Sequence, residues 1–222
     1  MINAVLFVEG SADVKFLQDF VRFHYEIELK AGTHIIECGG NTRLAEKKPQ
    51  FESSALNKQV NCIIFDADSE EQGTNFQGTK ERISTELATI GQSIELERPL
   101  LKVKFDIFLF PNNGDDGDLE TLLERTINPA NQPILDCWDG YERCLEETRS
   151  KIPSPITLPI RKSKIYSYTK LLLSKPKKGE KNDKANERHR DYTNGQHWML
   201  SSSATEPLKT FLDQYFKKES TP

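Results

Sequence analysis

Short apolar runs alternate with longer amphipathic stretches over the first 110 residues of the chain. Apolar runs of buried-strand length occur at 4–8, 34–36, 62–65 and 105–110. Between them, helical spacing predicts a helix from about Ser11, a fair N-cap, to His24, a weaker one over 42–54 interrupted near Pro49, and one carrying Ile83, Leu87 and Ile90. This alternation predicts an α/β fold, TOPRIM-like or Rossmann-like in kind, with a mostly parallel sheet of about four strands flanked by helices.

The second half of the chain has helical periodicity only. Two helices are predicted around 119–127 and 134–145, and the prolines of IPSPITLPI then mark a linker. A basic amphipathic helix around 165–173 and a last helix over 205–216 follow, separated by a stretch, 174–190, that has almost no apolar residues and is predicted to be a mobile loop. We therefore expect an α/β domain at 1–150 and a basic helical extension at 151–222 packed on it.

Composition narrows the class of protein. The 222 residues contain no apolar run near the ~20 residues needed to cross a bilayer, and the first residues do not resemble a signal peptide. The four cysteines, Cys38, Cys62, Cys137 and Cys144, form no CxxC pair and have no histidine at zinc spacing. We expect a soluble, cytoplasmic protein without a membrane partner, in which these cysteines are buried free thiols.

The net charge of −4 hides an asymmetry between the two parts of the chain. Residues 1–150 carry 27 acids and 15 bases, a net charge of −12, whereas residues 151–222 carry 7 acids and 15 bases, a net charge of +8. An acidic part can hold divalent cations and a basic part can hold polyanions, although two solvated faces would have the same composition.

Acidic residues follow three of the predicted strands. Glu9 follows the first, Asp66 and Asp68 follow the third, and Asp115, Asp116, Asp118 and Glu120 follow the fourth. Because ligands of open α/β sheets bind outside the carboxyl ends of the strands, we expect these carboxylates to converge on one edge, where a cation would relieve their repulsion. Carboxylate oxygens are the ligands that Mg²⁺ and Mn²⁺ prefer. A single acid after a strand is more often a helix N-cap or a surface turn, so the prediction depends on the three features occurring together.

The segments AVLFVEGSAD and NCIIFDADSE resemble the TOPRIM domain, in which one strand ends in Glu-Gly and a later strand ends in Asp-x-Asp. That domain is shared by primases, topoisomerases, RecR-type repair proteins and OLD-family nucleases. The segment IFLFPNNGDDGDLETLL, together with KSKIYSYTKLL and HWMLSSSATEPLKTFL, is similar to small standalone TOPRIM-like proteins of unassigned function. The resemblance therefore extends over the chain and is firmest over about 1–125.

This resemblance implies Mg²⁺-dependent (or Mn²⁺-dependent) making or breaking of phosphodiester bonds in DNA or RNA, most directly by a nuclease or nuclease subunit. By position, Glu9 matches the family's glutamate, which serves as a general acid or base or as a metal ligand, and Asp66 and Asp68 match its metal-binding aspartates. Glu120 and Asp118 match the downstream acid of OLD-type nucleases, and Lys164 is the candidate for their phosphate-facing basic residue. No topoisomerase or primase module fits in 222 residues, and the ATPase of OLD-type nucleases would have to be a separate partner chain.

The basic extension supplies a candidate nucleic-acid surface. Its cations alternate with Tyr166, Tyr168 and Tyr192, a composition that can follow a phosphate backbone and stack bases. The candidate contacts are Arg161, Lys162, Lys170, Lys175, Lys177, Lys178, Arg188 and Arg190. A solvated lysine-rich loop is the alternative interpretation of the same residues.

Other functions fit the sequence less completely. Asp66-Ala67-Asp68 also resembles the nucleophile motif of haloacid-dehalogenase phosphatases, but that interpretation leaves Glu9 unexplained. The stretch 73–80 has the glycine spacing of a P-loop, but Thr79-Lys80 reverses the required order. The alternative from another class is a non-catalytic TOPRIM-fold subunit that docks nucleic acid or a separate ATPase.

Overall fold

The computed structural model describes residues 2–40, 43–68, 73–154, 156–159, 161–173 and 184–217. Its centre is a sheet of four strands, all of whose pairings are parallel, in the order β2-β1-β3-β4. The strands are β1 (Ala4–Val8), β2 (Ile35–Glu37), β3 (Val60–Asp66) and β4 (Phe105–Phe110). The predicted α/β fold with a parallel four-stranded sheet is confirmed, and it is consistent with a Rossmann-like fold.

Seven helices are present among the described residues. They are α1 (Ser11–Tyr25), α2 (Lys48–Leu56), α3 (Phe76–Glu97), α4 (Leu119–Thr126), α5 (Gln132–Arg149), α6 (Arg161–Leu172) and α7 (Glu206–Phe216). Short 3₁₀ helices lie at Leu44–Lys47, Pro129–Asn131 and Ser203–Thr205. No described helix is both long and apolar enough to cross a membrane.

Two apolar layers hold the helices against the sheet. One layer joins the strands to α2 and α3 through residues such as Phe51, Ile83 and Ile90. The other joins them to α1, α4, α6 and α7 and includes Phe16, Tyr168 and Trp198. The strands alternate their side chains between these layers, which is why their sequences are apolar at almost every position.

The basic extension belongs to the second layer rather than forming a core of its own. The apolar cluster that contains Phe16 of α1 also contains Ile165 of α6, Leu212 of α7, and Tyr192 and Trp198 from the segment between these two helices. The ring centroids of Phe16 and Tyr192 are 5.3 Å apart. The expected extension is thus packed on the α/β part through one shared core. Residues 174–183 of the predicted mobile loop lie outside the described residues.

Three sequence predictions are corrected by local structure. Gly10, not Ser11, is the N-cap of α1. Pro49 lies in the first turn of α2, where a missing N–H breaks no helical hydrogen bond, so it begins the helix and does not interrupt it. Cys137 and Cys144 are exposed, whereas Cys38 and Cys62 are buried free thiols as predicted.

Candidate acidic site at the carboxyl edge of the sheet

The chain reverses direction across the sheet between β1 and β3. From β1 it proceeds to β2 on one side, and then crosses back to β3 and β4 on the other. In open α/β sheets the crevice at such a switch point is the usual ligand site. Glu9 follows β1 and Asp66 ends β3, so two predicted site residues flank this point.

Backbone hydrogen bonds hold the first carboxylates in place. Glu9 Oε1 accepts the N–H of Asp66 at 3.2 Å, which ties the end of β1 to the end of β3. Asp66 Oδ1 accepts the N–H of Leu119 at 2.9 Å, which brings the start of α4 to the same edge. Asp68 is tied to this loop as well, because its carbonyl oxygen accepts the N–H of Gly117 at 2.7 Å.

Six carboxylates are close enough for their charges to act on one another, and we call them the acidic cluster. The pKa of Asp66 is raised well above its usual value, chiefly because the carboxyl group is buried. The charges of the neighbouring carboxylates raise it further. The acidic cluster consists of Glu9, Asp13, Asp66, Asp68, Asp118 and Glu120. The structure therefore brings together the five acids that the resemblance selects. The expected convergence of Asp115 and Asp116 is not seen, because Asp115 pairs with Arg125 and Asp116 accepts the N–H of Phe76.

Two members of the acidic cluster have pKa values near neutrality. Burial raises the pKa of Glu9 to about 7, against the lowering effect of the Asp66 N–H. Burial also raises the pKa of Asp13 to about 7, and the charges of Glu9 and Glu120 add to the effect. Desolvation penalises the charged form of a carboxyl group, so both groups are poised between protonation states at physiological pH.

Asp118 and Glu120 play different local roles. Asp118 is the N-cap of α4, and its Oδ1 accepts both the N–H and the hydroxyl of Thr121, at 2.8 and 2.6 Å. This is the helix-cap alternative that the sequence left open. Glu120 lies in the first turn of α4, where burial and the charge of Asp118 raise its pKa.

The carboxylates of the acidic cluster are ligands of the type that a hard divalent cation prefers, although some of their oxygens already accept hydrogen bonds. Among the described residues, no group of three or more His, Cys, Asp and Glu side chains is arranged to hold a metal ion. One oxygen each of Glu9, Asp13 and Asp66 accepts a backbone N–H. Each of these carboxyl groups has a second oxygen, and a carboxylate can use its two oxygens for different partners. The acidic cluster therefore fits Mg²⁺ or Mn²⁺ by ligand type, and an ion would have to draw the side chains together.

Cations from the basic extension surround the acidic cluster. Arg161 Nη1 lies 3.3 Å from Asp118 Oδ1, at the start of α6. Lys162 pairs with Glu187 at 2.6 Å, and the charges of Glu120 and Asp13 also act on its pKa. Arg188 is exposed and donates from Nε to Ser11 Oγ at 2.9 Å, beside the Glu9-Gly10 turn.

The other predicted basic residues lie elsewhere. Lys164 forms ion pairs with Glu124 at 3.1 Å and Asp139 at 2.7 Å, neither of which belongs to the acidic cluster. Lys170 is exposed on α6. Lys175, Lys177 and Lys178 lie outside the described residues.

Arg190 requires a correction, because its side chain is only 3% exposed and cannot lie along a nucleic-acid backbone from that position. Its guanidinium carbon is 5.5 Å from the ring centroid of Tyr192 and 5.9 Å from that of Trp198. It also donates to the carbonyl oxygen of Ala185 at 3.0 Å. Arg190 thus anchors the 184–200 segment, which carries Arg188 to the acidic cluster.

Two participants were not predicted from the sequence. Asp13 accepts the N–H of Gly10 at 2.8 Å in a capping box, and the signal for it was an acid three residues after the N-cap of α1. Arg82 on α3 lies near enough for its charge to lower the pKa of both Glu9 and Asp68. No spacing in the sequence indicates Arg82, because it reaches the acidic cluster from a helix that follows a long loop.

These features define a class: a parallel α/β protein with a half-buried acidic cluster at its switch point, surrounded by arginine and lysine side chains. Residues 3–217 match the model of a family described as a protein of unknown function (DUF3226), and the chain belongs to that family. No curated protein and no solved structure is similar enough to count as a match.

Proposed function

We propose that the protein is a Mg²⁺- or Mn²⁺-dependent nuclease or nuclease subunit of TOPRIM type, acting on phosphodiester bonds in nucleic acid. The observation that carries the proposal is the convergence of six carboxylates, from the ends of β1 and β3 and the starts of α1 and α4, on the switch point of the sheet. Half-buried like charges at such density are costly unless they are protonated or share a cation.

In this proposal Asp66 and Asp68 hold the divalent ion, with Glu120 and Asp118 beside them. When bound, the ion supplies neutralisation of the phosphate charge and a lowered pKa for a water molecule. The backbone N–H of Leu119 fixes one oxygen of Asp66 at 2.9 Å, so that side chain is oriented before any ligand arrives. Preorientation of this kind reduces the entropy lost on binding.

Glu9 moves the proton in the same scheme. A general base works best when its pKa lies near the working pH, and the pKa of Glu9 is raised to about 7 by burial. The Asp66 N–H holds Glu9 Oε1 at 3.2 Å, so the carboxyl group has a fixed position at the edge of the sheet.

The phosphate groups of the substrate are assigned to the cations around the acidic cluster. Lys162 and Arg188 reach this edge from different parts of the basic extension, and Arg161 pairs directly with Asp118. Arginine and lysine at these positions can bind a phosphodiester without base contacts, which gives binding that weakens with salt. This arrangement favours nucleic acid over a small neutral substrate.

A second candidate is a non-catalytic binding subunit that docks nucleic acid or a separate ATPase chain. Two observations favour it over catalysis: the described acids form no ready ligand set, and Asp118 is already occupied by its helix cap and Arg161. The same basic side chains would then serve binding alone.

The test is a cleavage assay on single- and double-stranded DNA and RNA with Mg²⁺, Mn²⁺ or EDTA. Asp66→Asn and Glu9→Gln should each reduce cleavage at least 100-fold, as removal of a general base or metal ligand commonly does. Glu28→Gln is the matched control, because Glu28 is exposed and outside the acidic cluster. Both active-site variants should keep the wild-type circular dichroism spectrum.

Three results distinguish the candidates. Cleavage that requires the metal and both acids supports the nuclease. Salt-sensitive nucleic-acid binding with neither cleavage nor a Mg²⁺-induced rise in melting temperature supports the binding subunit. Cleavage that survives in EDTA or in Asp66→Asn contradicts the proposed site.

A further inference from the structure

The segment 184–192 lies beside the acidic cluster, and its contacts with the rest of the fold fix its position. Arg190 is buried and packs on the ring of Tyr192, which is itself buried in the core. Arg188 donates from Nε to Ser11 Oγ at 2.9 Å, where α1 begins. The segment therefore reaches the edge of the sheet as part of the packed structure.

Glu187, the residue before Arg188, brings one more carboxylate to this edge. Its Oε2 lies 2.6 Å from Nζ of Lys162, at the start of α6. The side chain of Glu187 is 23% exposed, whereas that of Lys162 is 54% exposed. Burial and the charge of Asp118 raise the pKa of Glu120, and the charge of Glu187 raises it further. Glu187 thus adds negative charge to a place that already has an excess of it.

Lys162 is the cation that both Glu187 and the acidic cluster share. Partial burial lowers the pKa of Lys162, but the hydrogen bond and the charge of Glu187 outweigh this effect, and the charges of Glu120 and Asp13 add to them. A lysine ammonium group that faces the site in this way is a natural partner for a substrate phosphate. In the free protein, however, this ammonium group already pairs with a carboxylate of the same chain.

A carboxylate and a phosphodiester present the same kind of group to a lysine. Each offers anionic oxygens, and each forms a charge-assisted hydrogen bond of about 2.7–2.9 Å with an ammonium nitrogen. The contact of Glu187 with Lys162 is about this length. The Glu187 oxygen therefore lies where a phosphate oxygen bound to Lys162 would lie.

We propose that Glu187 is a competitor of the substrate built into the chain, whose carboxylate pairs with Lys162 until a phosphate of the nucleic acid replaces it. The proposal rests on the function proposed above, because it takes this edge as the nucleic-acid site. The exchange favours a chain of phosphates, which can contact Arg188 at the same time, over a single anion. Glu187 would thereby reduce the binding of small anions at the acidic cluster.

The alternative is that the pair of Glu187 and Lys162 only attaches the segment to α6. A purely structural pair predicts that its loss leaves nucleic-acid binding unchanged or weakens it, because Arg188 would be held less firmly. A competitor predicts the opposite direction, since the ammonium group of Lys162 becomes available. The sign of the change in affinity therefore separates the two roles.

The test is the dissociation constant of a labelled short single-stranded DNA, measured by fluorescence anisotropy in EDTA and again with Ca²⁺. Glu187→Gln should lower the dissociation constant about threefold, the size of effect expected from one exposed ion pair. The plot of log affinity against log salt concentration should become steeper by about one, because Lys162 then neutralises a phosphate without releasing a carboxylate.

The matched control is Asp191→Asn, which makes the same change of charge on the same segment. Asp191 is exposed, and its Oδ1 accepts the N–H and the hydroxyl of Thr193 at 3.0 and 2.7 Å. This variant should leave the dissociation constant and the salt dependence close to those of wild type. Circular dichroism would verify that both variants keep the wild-type fold.

A double-variant cycle shows whether Glu187 acts through Lys162. In a Lys162→Gln protein the further change Glu187→Gln should give no gain in affinity, because the ammonium group for which the two anions compete is absent. A gain of the same size in this background would mean that Glu187 only repels the DNA at a distance, and it would overturn the proposal.

Unchanged or weaker binding by Glu187→Gln would also overturn the proposal, as would an equal gain in Asp191→Asn. Cleavage by the wild-type protein together with such a result retains the nuclease and rejects the competitor. A gain that depends on Lys162, in a protein that cleaves nothing, retains the competitor and rejects the nuclease. Absence of DNA binding by every variant rejects both.

Discussion

The carboxyl group of Asp13 is buried in the first turn of α1 and shares its surroundings with Glu9 and Glu120. Its pKa rises from 3.8 to about 7, so the folded state binds more protons than the unfolded state between these pH values. The free energy of unfolding must then decrease as the pH rises through this window, because the folded state loses bound protons that the unfolded state has already released. Burial of Glu9 acts in the same direction.

We predict that, without divalent ions, the free energy of unfolding falls between about pH 4 and pH 7, and that Asp13→Asn reduces this fall. Above pH 7 the variant should be more stable than wild type by about 4 kcal/mol, because no charge has to be buried. The two proteins should converge below about pH 4, where Asp13 is protonated in both the folded and the unfolded state. Urea unfolding at several pH values measures this, and an Asp13→Asn protein less stable than wild type at pH 8 would contradict it.

The acids could be chosen from the sequence because a strand end followed by a carboxylate is a local pattern. Arg190 could not be judged in this way. Its neighbours in the chain are polar, and its burial results from the rings of Tyr192 and Trp198, which the fold brings around it. A cation in a basic stretch gives the same signal whether it is solvated or enclosed.

At the scale of elements, α4 begins at the acidic cluster because Asp118 caps it. The capping box joins Asp118 to Thr121, and Gly117 precedes the cap with φ of 135°. A Cβ at position 117 would lie 2.7 Å from Thr121 Oγ1, so only glycine permits this approach. The turn thereby fixes where Glu120 enters the acidic cluster.

We predict that Asp118→Ala lowers the free energy of unfolding by about 1 kcal/mol, because it removes the helix cap. Asp118→Asn retains a capping oxygen and should remain within about 0.5 kcal/mol of wild type. Chemical unfolding of both variants measures the cap. If Asp118→Asn is as destabilised as Asp118→Ala, then the pairing with Arg161, and not the cap, is the stabilising contact.

The strands and most helices could be predicted from periodicity, because apolar runs and helical spacing are local properties of the sequence. For α5 the helix was predicted correctly but the burial of its cysteines was not. Its apolar stripe predicts burial for Cys137 and Cys144, but the stripe faces solvent and a groove between α5 and α6, so both thiols are exposed. Periodicity identifies the apolar face of a helix and does not tell whether the same chain covers it.

At the scale of the molecule, the basic extension and the α/β part share one apolar layer. Trp198 is buried between Tyr168 and Tyr192, and Tyr192 packs on Phe16 of α1. The sequence suggested a boundary at the prolines after residue 150, because composition changes there. Packing across that boundary could not be predicted, since aromatic residues far apart in the chain carry no mark of their partners.

We predict a single cooperative unfolding transition for the whole chain, with Trp198→Ala lowering the free energy of unfolding by about 3 to 5 kcal/mol. Trp138→Ala is the matched control, because Trp138 is only half-buried beside the groove and should cost clearly less. Calorimetry with fluorescence and far-ultraviolet circular dichroism tests cooperativity. Two separate transitions, only one of them sensitive to Trp198, would indicate two independent domains.

The hydrogen bond from the N–H of Tyr192 to Asp19 spans 173 residues of the chain. During synthesis at ~5–20 residues per second, α1 would wait on the order of ten seconds or more for the segment that covers it. Through that interval the nascent chain carries Phe16 uncovered on that side and the Glu9-Gly10 turn without Arg188. Arrival of Arg188 at the acidic cluster is therefore a late event in the life of each new molecule, and a ribosome-bound chain that stops before residue 184 would have Arg161 and Lys162 at this edge but not Arg188.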